Sequence, residues 1–221
     1  TMTMPSLCPA CGLPGLEIVG YGTERIEDEV ESVFPDEKIS RMDLDTTRNK
    51  NSYERIIDDF SSHKTNILVG TQMVTKGLDF DGVSIVGILN ADALISFPDF
   101  RASERAFNMM EQVAGRAGRA HKQGTVLVQT TRPTHPIVEF VKNHNYQEFF
   151  NYELSERQQY NFPPFTRIVN VYLKHRNEDT LTEVSVRYSN MLREVFGNRV
   201  FGPEPPMVAR VQSLYIRQVM L

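Results

Sequence analysis

The chain has 221 residues, 40% of them hydrophobic and 24% charged, with a formal net charge of −4. This composition excludes a wholly disordered or collagen-like chain, and its acidity lends no support to a dedicated nucleic-acid domain, which is usually basic. Apolar runs such as 83–89 fall far short of the roughly 20 residues a membrane helix requires, and no basic, then apolar, leader is visible, so a soluble, cytoplasmic protein with no membrane partner is expected.

In chain order, Ile18 and Val19 read as a short strand. Ile26, Val30, Val33 and Phe34 then recur at helical spacing, with Thr23 as the expected N-cap. Asp28-Glu29-Val30-Glu31 has the look of a metal-binding acidic box. It falls inside this charged amphipathic helix, however, and reads as solvated surface. Ile39 and Met42 mark a strand, and Tyr53, Ile56, Ile57 and Phe60 form the stripe of a second helix. Residues 67–69 form a buried strand ended by Gly70. Residues 83–89 form another, 102–114 a helix and 125–129 a strand. Alternation of this kind predicts an α/β fold, a mostly parallel sheet with helices on both faces.

The pattern changes after Pro133. Residues 135–160 predict one or two helices with a boundary near Asn145, stopped by Phe162-Pro163-Pro164-Phe165. Residues 168–173 alternate like a strand. Residues 180–196 are helical, with Leu181, Val184, Tyr188, Leu192 and Val195 on one stripe. Residues 202–206 read as a rigid turn and 208–221 as strand. This second part is a small α+β unit. Because the sequence stops within an apolar strand pattern, we expect a fragment with this unit cut short.

Two segments carry chemistry. In Gln112-Val113-Ala114-Gly115-Arg116-Ala117-Gly118-Arg119, Arg116 and Arg119 are three apart on one helix face, with glycines leaving them uncrowded. Two forked guanidiniums aimed one way suit a polyphosphate. The plainer reading is a helix end with arginines paired to nearby carboxylates. In Gly70-Thr71-Gln72-Met73-Val74-Thr75-Lys76-Gly77-Leu78-Asp79-Phe80, a buried strand leads into a short helix whose first N–H groups, with a threonine hydroxyl, form an anion site. Asp79 reads either as a turn residue or as a carboxylate for sugar hydroxyls. No G-x-x-x-x-G-K-[S/T] phosphate loop occurs anywhere. The five histidines have no metal spacing. Cys8 and Cys11, in Cys-Pro-Ala-Cys, are half of a four-thiolate zinc site or a redox pair, and no thioredoxin-like pattern surrounds them.

The segments 70–80 and 112–119 resemble motifs V and VI of superfamily 2 helicases, which lie in the second RecA-like lobe. Asn90-Ala91-Asp92-Ala93-Leu94-Ile95-Ser96-Phe97-Pro98-Asp99-Phe100-Arg101-Ala102-Ser103-Glu104-Arg105, leading into 112–119, resembles the primosomal replication-restart helicase family. Gly22-Thr23-Glu24-Arg25 and Arg41-Met42-Asp43-Leu44-Asp45-Thr46-Thr47 fit the start of that lobe. Ile216 departs from the family, which often has arginine after the tyrosine matching Tyr215.

The resemblance implies four regions: a zinc-insertion remnant over 1–15, lobe 2 over 16–133, a helical connector over 134–161 and a truncated C-terminal α+β domain over 162–221. It implies Arg119 as arginine finger with Arg116 in support, Gln112, Gly77 and Asp79 at the nucleotide, and Thr71 and Gln72 on the DNA backbone. Cys8 and Cys11 become zinc ligands whose partners lie elsewhere. ATP and Mg²⁺ require another lobe, so the chain alone is expected to be inactive and metal-free. DNA (branched forks and single strands), primosome proteins and single-strand-binding protein are the implied partners, with 3′→5′ movement. Another superfamily 2 translocase, or a non-catalytic α/β interaction module, is the alternative.

Overall fold

The computed structural model describes residues 22–71, 74, 80, 82–115, 117 and 124–221. They divide into two compact units: Thr1–Asp92 with Asn108–Thr131, and Ala93–Phe107 with Arg132–Leu221.

The first unit is built from β-α-β steps. Helix α1 (Thr23–Val33) precedes strand β1 (Ile39–Met42), helix α2 (Lys50–Ser61) and strand β2 (Ile67–Gly70). β1 and β2 pair in parallel, Ile39 opposite Ile67 and Met42 opposite Gly70. A parallel pair needs a crossover between its strands, and α2 supplies it. Asn49 caps α2, its side chain accepting from the Asn51 N–H. Met42 is fully buried, and Phe60 meets Phe80 edge to face at 4.8 Å. Strand β3 (Ile85–Ile88) pairs in parallel with β4 (Thr125–Val128), with α3 (Ala91–Ile95) and α4 (Ala102–Ala114) between them in sequence. Among the described residues the parallel ladder thus consists of two pairs, β1–β2 and β3–β4.

In the second unit, α5 (Pro136–Lys142) and α6 (Tyr146–Gln159) realise the expected split near Asn145, whose side chain caps α6 by accepting from Glu148 N–H. The Phe107 ring lies flat on Phe149 at 4.0 Å. Beyond the proline stop, β5 (Asn170–His175), β6 (Phe201–Glu204), β7 (Arg210–Val211) and β8 (Leu214–Met220) form an antiparallel sheet with β8 between β5 and β6. Helix α7 (Glu178–Phe196) packs on it.

Several expectations are corrected. Thr23 is not the cap of α1; Gly22 is, and the Thr23 hydroxyl is engaged elsewhere. Residues 201–204 are a strand, not a turn, and 208–221 fold back as a β7–β8 hairpin with Gln212 at φ 55°. Gly202 sits at φ 89° with the Gln218 carbonyl 2.6 Å from where a Cβ would be, so the strand bends there only because the side chain is absent. On α7 the buried positions are Leu181, Ser185 and Ser189, while Val184 and Val195 are 52% and 72% exposed. Both serine hydroxyls donate to carbonyls three residues back, at 3.0 and 2.9 Å, so they are buried without loss of hydrogen bonds. Their small volume suits close approach of the helix to the sheet. The acidic run at 28–31 lies on α1, which has no buried residue, as expected. The strand at 18–19 lies outside the described residues.

Candidate functional site

Ligands of parallel α/β sheets gather where the strands end at their carboxyl side. At that end of β2 the chain turns at once. The Thr71 N–H donates to the Met42 carbonyl at 3.4 Å, and the Val74 N–H to the Thr71 carbonyl at 3.0 Å. The turn requires Gly70. A Cβ there would stand 2.7 Å from the Met42 carbonyl oxygen and collide with the Val74 side chain.

Beside it, Asp43 directly follows β1 and is 9% exposed. Thr23 Oγ1 donates to Asp43 Oδ2 at 2.5 Å. The N–H groups of Asp45 and Thr46 donate to Oδ1, each at 2.9 Å, and the Arg41 guanidinium Nε lies 3.2 Å from Oδ2. The Thr23 hydrogen bond, then those of Thr46, outweigh burial and hold the carboxyl down at about 2, with Arg41 adding to the effect. Asp43 is therefore an anion fixed in place. It ties the first turn of α1 and the loop after β1 to the edge from which Thr71 departs. Arg41 also reaches Glu27 at 3.4 Å, whose own carboxyl is pushed up because burial exceeds the attraction of Arg41.

The β3–β4 pair has a comparable tie. Asp92, opening α3, accepts from the Thr130 hydroxyl at 2.8 Å and from the Thr131 N–H and hydroxyl at 2.7 and 2.9 Å. The carboxylate thereby locks the start of α3 to the chain leaving β4.

Helix α4 carries the other informative segment. Gln112 is on its exposed face. The Gly115 N–H still donates to Glu111 at 2.9 Å, and Ala117 N–H to Ala114 at 3.2 Å, so the helix tightens as it runs out. Thr71 and Gln112 are thus placed, both exposed. Gln72, Gly77, Asp79, Arg116, Arg119, Cys8 and Cys11 lie outside the described residues. Among the described residues no group of three or more His, Cys, Asp or Glu could hold a metal ion. Nor is any described helix long and apolar enough to cross a membrane. Sequence reading gave Asp43 and Asp92 no structural role. Their signals were a charged pair flanking a buried residue at a strand end, Arg41-Met42-Asp43, and an acid in a helix's first turn.

Residues 18–121 match the family model of the helicase conserved C-terminal domain. The whole length is similar to proteins named replication restart protein PriA. The identity is 35% to that of Bacillus subtilis over 99% of this chain and 27% of that protein. It is 36% to that of Synechocystis over 98% of this chain and 26% of that protein, and 34% to that of Haemophilus influenzae over 99% of this chain and 30% of that protein. Residues 18–121 are thus similar to the helicase conserved C-terminal domain, and the chain as a whole to part of PriA. It spans roughly a quarter to a third of the length of these relatives. The resemblance read from residues 70–80, 90–105 and 112–119 is borne out, as is the α/β class of the lobe followed by a small α+β unit.

Proposed function

We propose that this chain is the second motor lobe and part of the C-terminal region of a cytoplasmic, ATP-dependent DNA helicase that restarts stalled replication forks, moving 3′→5′. The similarity to PriA over nearly the whole chain carries this reading. The local geometry supports it. Gly70 makes a turn that leaves Thr71 exposed at the end of β2, and α4 places Gln112 on its exposed face.

On this reading ATP and Mg²⁺ sit mainly against another lobe, which supplies the phosphate loop and metal carboxylates that this sequence lacks. ATP hydrolysis supplies the free energy of the step. Arg119 reaches across to donate to the γ-phosphate as charge develops in transfer, and Arg116 supports it. Such a finger contributes about 10³–10⁵ in rate. Gln112 orients that group, Gly77 faces the nucleotide and Asp79 its ribose. Thr71 and Gln72 donate to the DNA backbone. Phosphate contacts carry no base information, so movement is independent of sequence. Asp43 acts beneath them by fixing the edge from which Thr71 projects. Cys8 and Cys11 complete a zinc site with thiolates from elsewhere in a longer protein. Among the described residues no group of three or more His, Cys, Asp or Glu could hold a metal ion. Forked and single-stranded DNA, primosome proteins and single-strand-binding protein are the partners.

The test compares DNA-stimulated ATP hydrolysis by this chain alone with that of the longer protein containing it. Activity is expected only in the longer protein. Turnover by the chain alone would refute the two-lobe division of labour.

A further inference from the structure

The second unit contains a cavity of about 410 Å³ that the motor reading does not use. It lies between the turn at Asp99–Phe100, the first residues of α4 and the last turns of α6. Phe97, Tyr152, Tyr160 and Phe162 give it aromatic walls. Phe97 and Tyr160 are 43% and 58% exposed, so its mouth is open and ringed by aromatic surface. The volume and the aromatic lining with a few polar groups fit a small-ligand or side-chain pocket.

The charge inside is unbalanced. Arg157 Nη2 lies 2.6 Å from Glu104 Oε2 and 3.3 Å from Glu153 Oε2, so one guanidinium serves two carboxylates. Glu153 is 9% exposed, and its burial, only partly offset by Arg157, pushes its carboxyl up. Glu156, half-buried, also lines the cavity, and no hydrogen bond or ion pair engages its carboxylate among the described residues. Asp99 at the rim is already paired with Arg105 at 2.7 Å. The charged side chains that line the cavity are Asp99, Glu153, Glu156 and Arg157, three acids to one base, which favours a cation over an anion. A cation with a flat face is favoured twice, by carboxylate and by ring. The protein already uses this pairing in the same place: the Arg157 and Arg101 guanidiniums sit 5.4 and 5.1 Å from the Phe100 ring centre.

We propose that this cavity is a binding site for a guanidinium group, the side chain of an arginine on another polypeptide segment, seated among the Phe97, Tyr160 and Phe162 side chains with its charge on Glu156. The cavity thereby docks a basic partner segment rather than DNA. The proposal does not depend on the motor reading.

The test titrates the full chain with N-acetyl-argininamide and with the matching citrulline amide, following phenylalanine and tyrosine ring signals by NMR. A single seated side chain predicts saturable shifts with Kd on the order of 1 mM. The neutral citrulline amide should bind at least about tenfold more weakly, since it keeps the shape and loses the charge. Glu156→Gln should weaken arginine binding about fivefold or more without moving the thermal midpoint, and Phe97→Leu should weaken it by losing the ring face. Absence of saturable shifts, equal binding of citrulline, or unchanged affinity in both variants would overturn the assignment.

Discussion

Asp43 shows how one side chain organises a strand end. Its carboxyl is held at about 2 against an ordinary 3.8, so its contribution to stability is fully present above pH 3.8 and lost as pH falls through about 2. Asp43→Asn removes a charged acceptor of three donors. We expect it to lower stability at pH 7 by about 1.5–3 kcal/mol in urea denaturation and to flatten the acid limb of the stability profile between those two values. An unaltered acid limb would mean that other carboxylates govern it. Glu153 works in the opposite direction: its raised pKa favours the folded state as it is protonated. Gly70→Ala is expected to perturb the β2 turn, because the Met42 carbonyl is backbone and cannot swing aside. A fall in thermal midpoint with altered amide signals near Met42 and Thr71 checks this. The resemblance of segments 70–80 and 112–119 was legible in the sequence because their glycine, threonine and arginine spacing is distinctive, and the family match over residues 18–121 includes both. The roles of Asp43 and Asp92 were not. Both depend on partners, Thr23 and Thr131, that are 20 and 39 residues away in sequence.

At the scale of elements, hydrophobic periodicity located the helices well and their buried faces less well. Residues 102–114 were expected as one helix and form α4 within the same bounds, since Ala102, Ala106, Phe107, Met110 and Val113 repeat at helical spacing and are all buried. On α7 the apolar stripe pointed to Val184 and Val195, yet the sheet-facing positions include two serines. Periodicity weighs side chains by hydrophobicity. It cannot register that a hydroxyl bonded to its own helix is cheap to bury, or that a short side chain permits close packing. Two substitutions separate these views. Ser185→Val overfills the α7–sheet contact and should destabilise by about 1–3 kcal/mol. Val184→Ser should stay within about 0.5 kcal/mol, as an exposed site does. Thermal or urea denaturation of both variants measures the difference, and the reverse ranking would mean that α7 buries its valine face. The β6 strand was missed for a related reason. Proline and glycine at 202–206 signal a turn locally, and only pairing with β8, sixteen residues on from Gly202 at Gln218, reveals an irregular edge strand.

For the whole molecule, the two units have different kinds of chemistry. The first has parallel strand pairs whose carboxyl ends, where ligands of such sheets gather, are braced by Asp43 and Asp92. The second has an antiparallel sheet and an acidic aromatic cavity, which suit a protein contact. The change from an alternating strand–helix pattern to a small α+β pattern was readable in the sequence. That the stretch 93–107 belongs with the second unit was not, because it sits between two strands of the first. An acidic net charge is compatible with a DNA motor if the DNA-facing edge alone is locally positive. The central claim is that this chain lends guanidinium groups to ATP hydrolysis. It is tested most directly by Arg119→Ala in the longer protein, measuring DNA-stimulated ATP turnover with DNA affinity and thermal midpoint as controls. The account predicts a fall of at least roughly tenfold in the rate with both controls unchanged. A rate equal to that of the unsubstituted protein would contradict it.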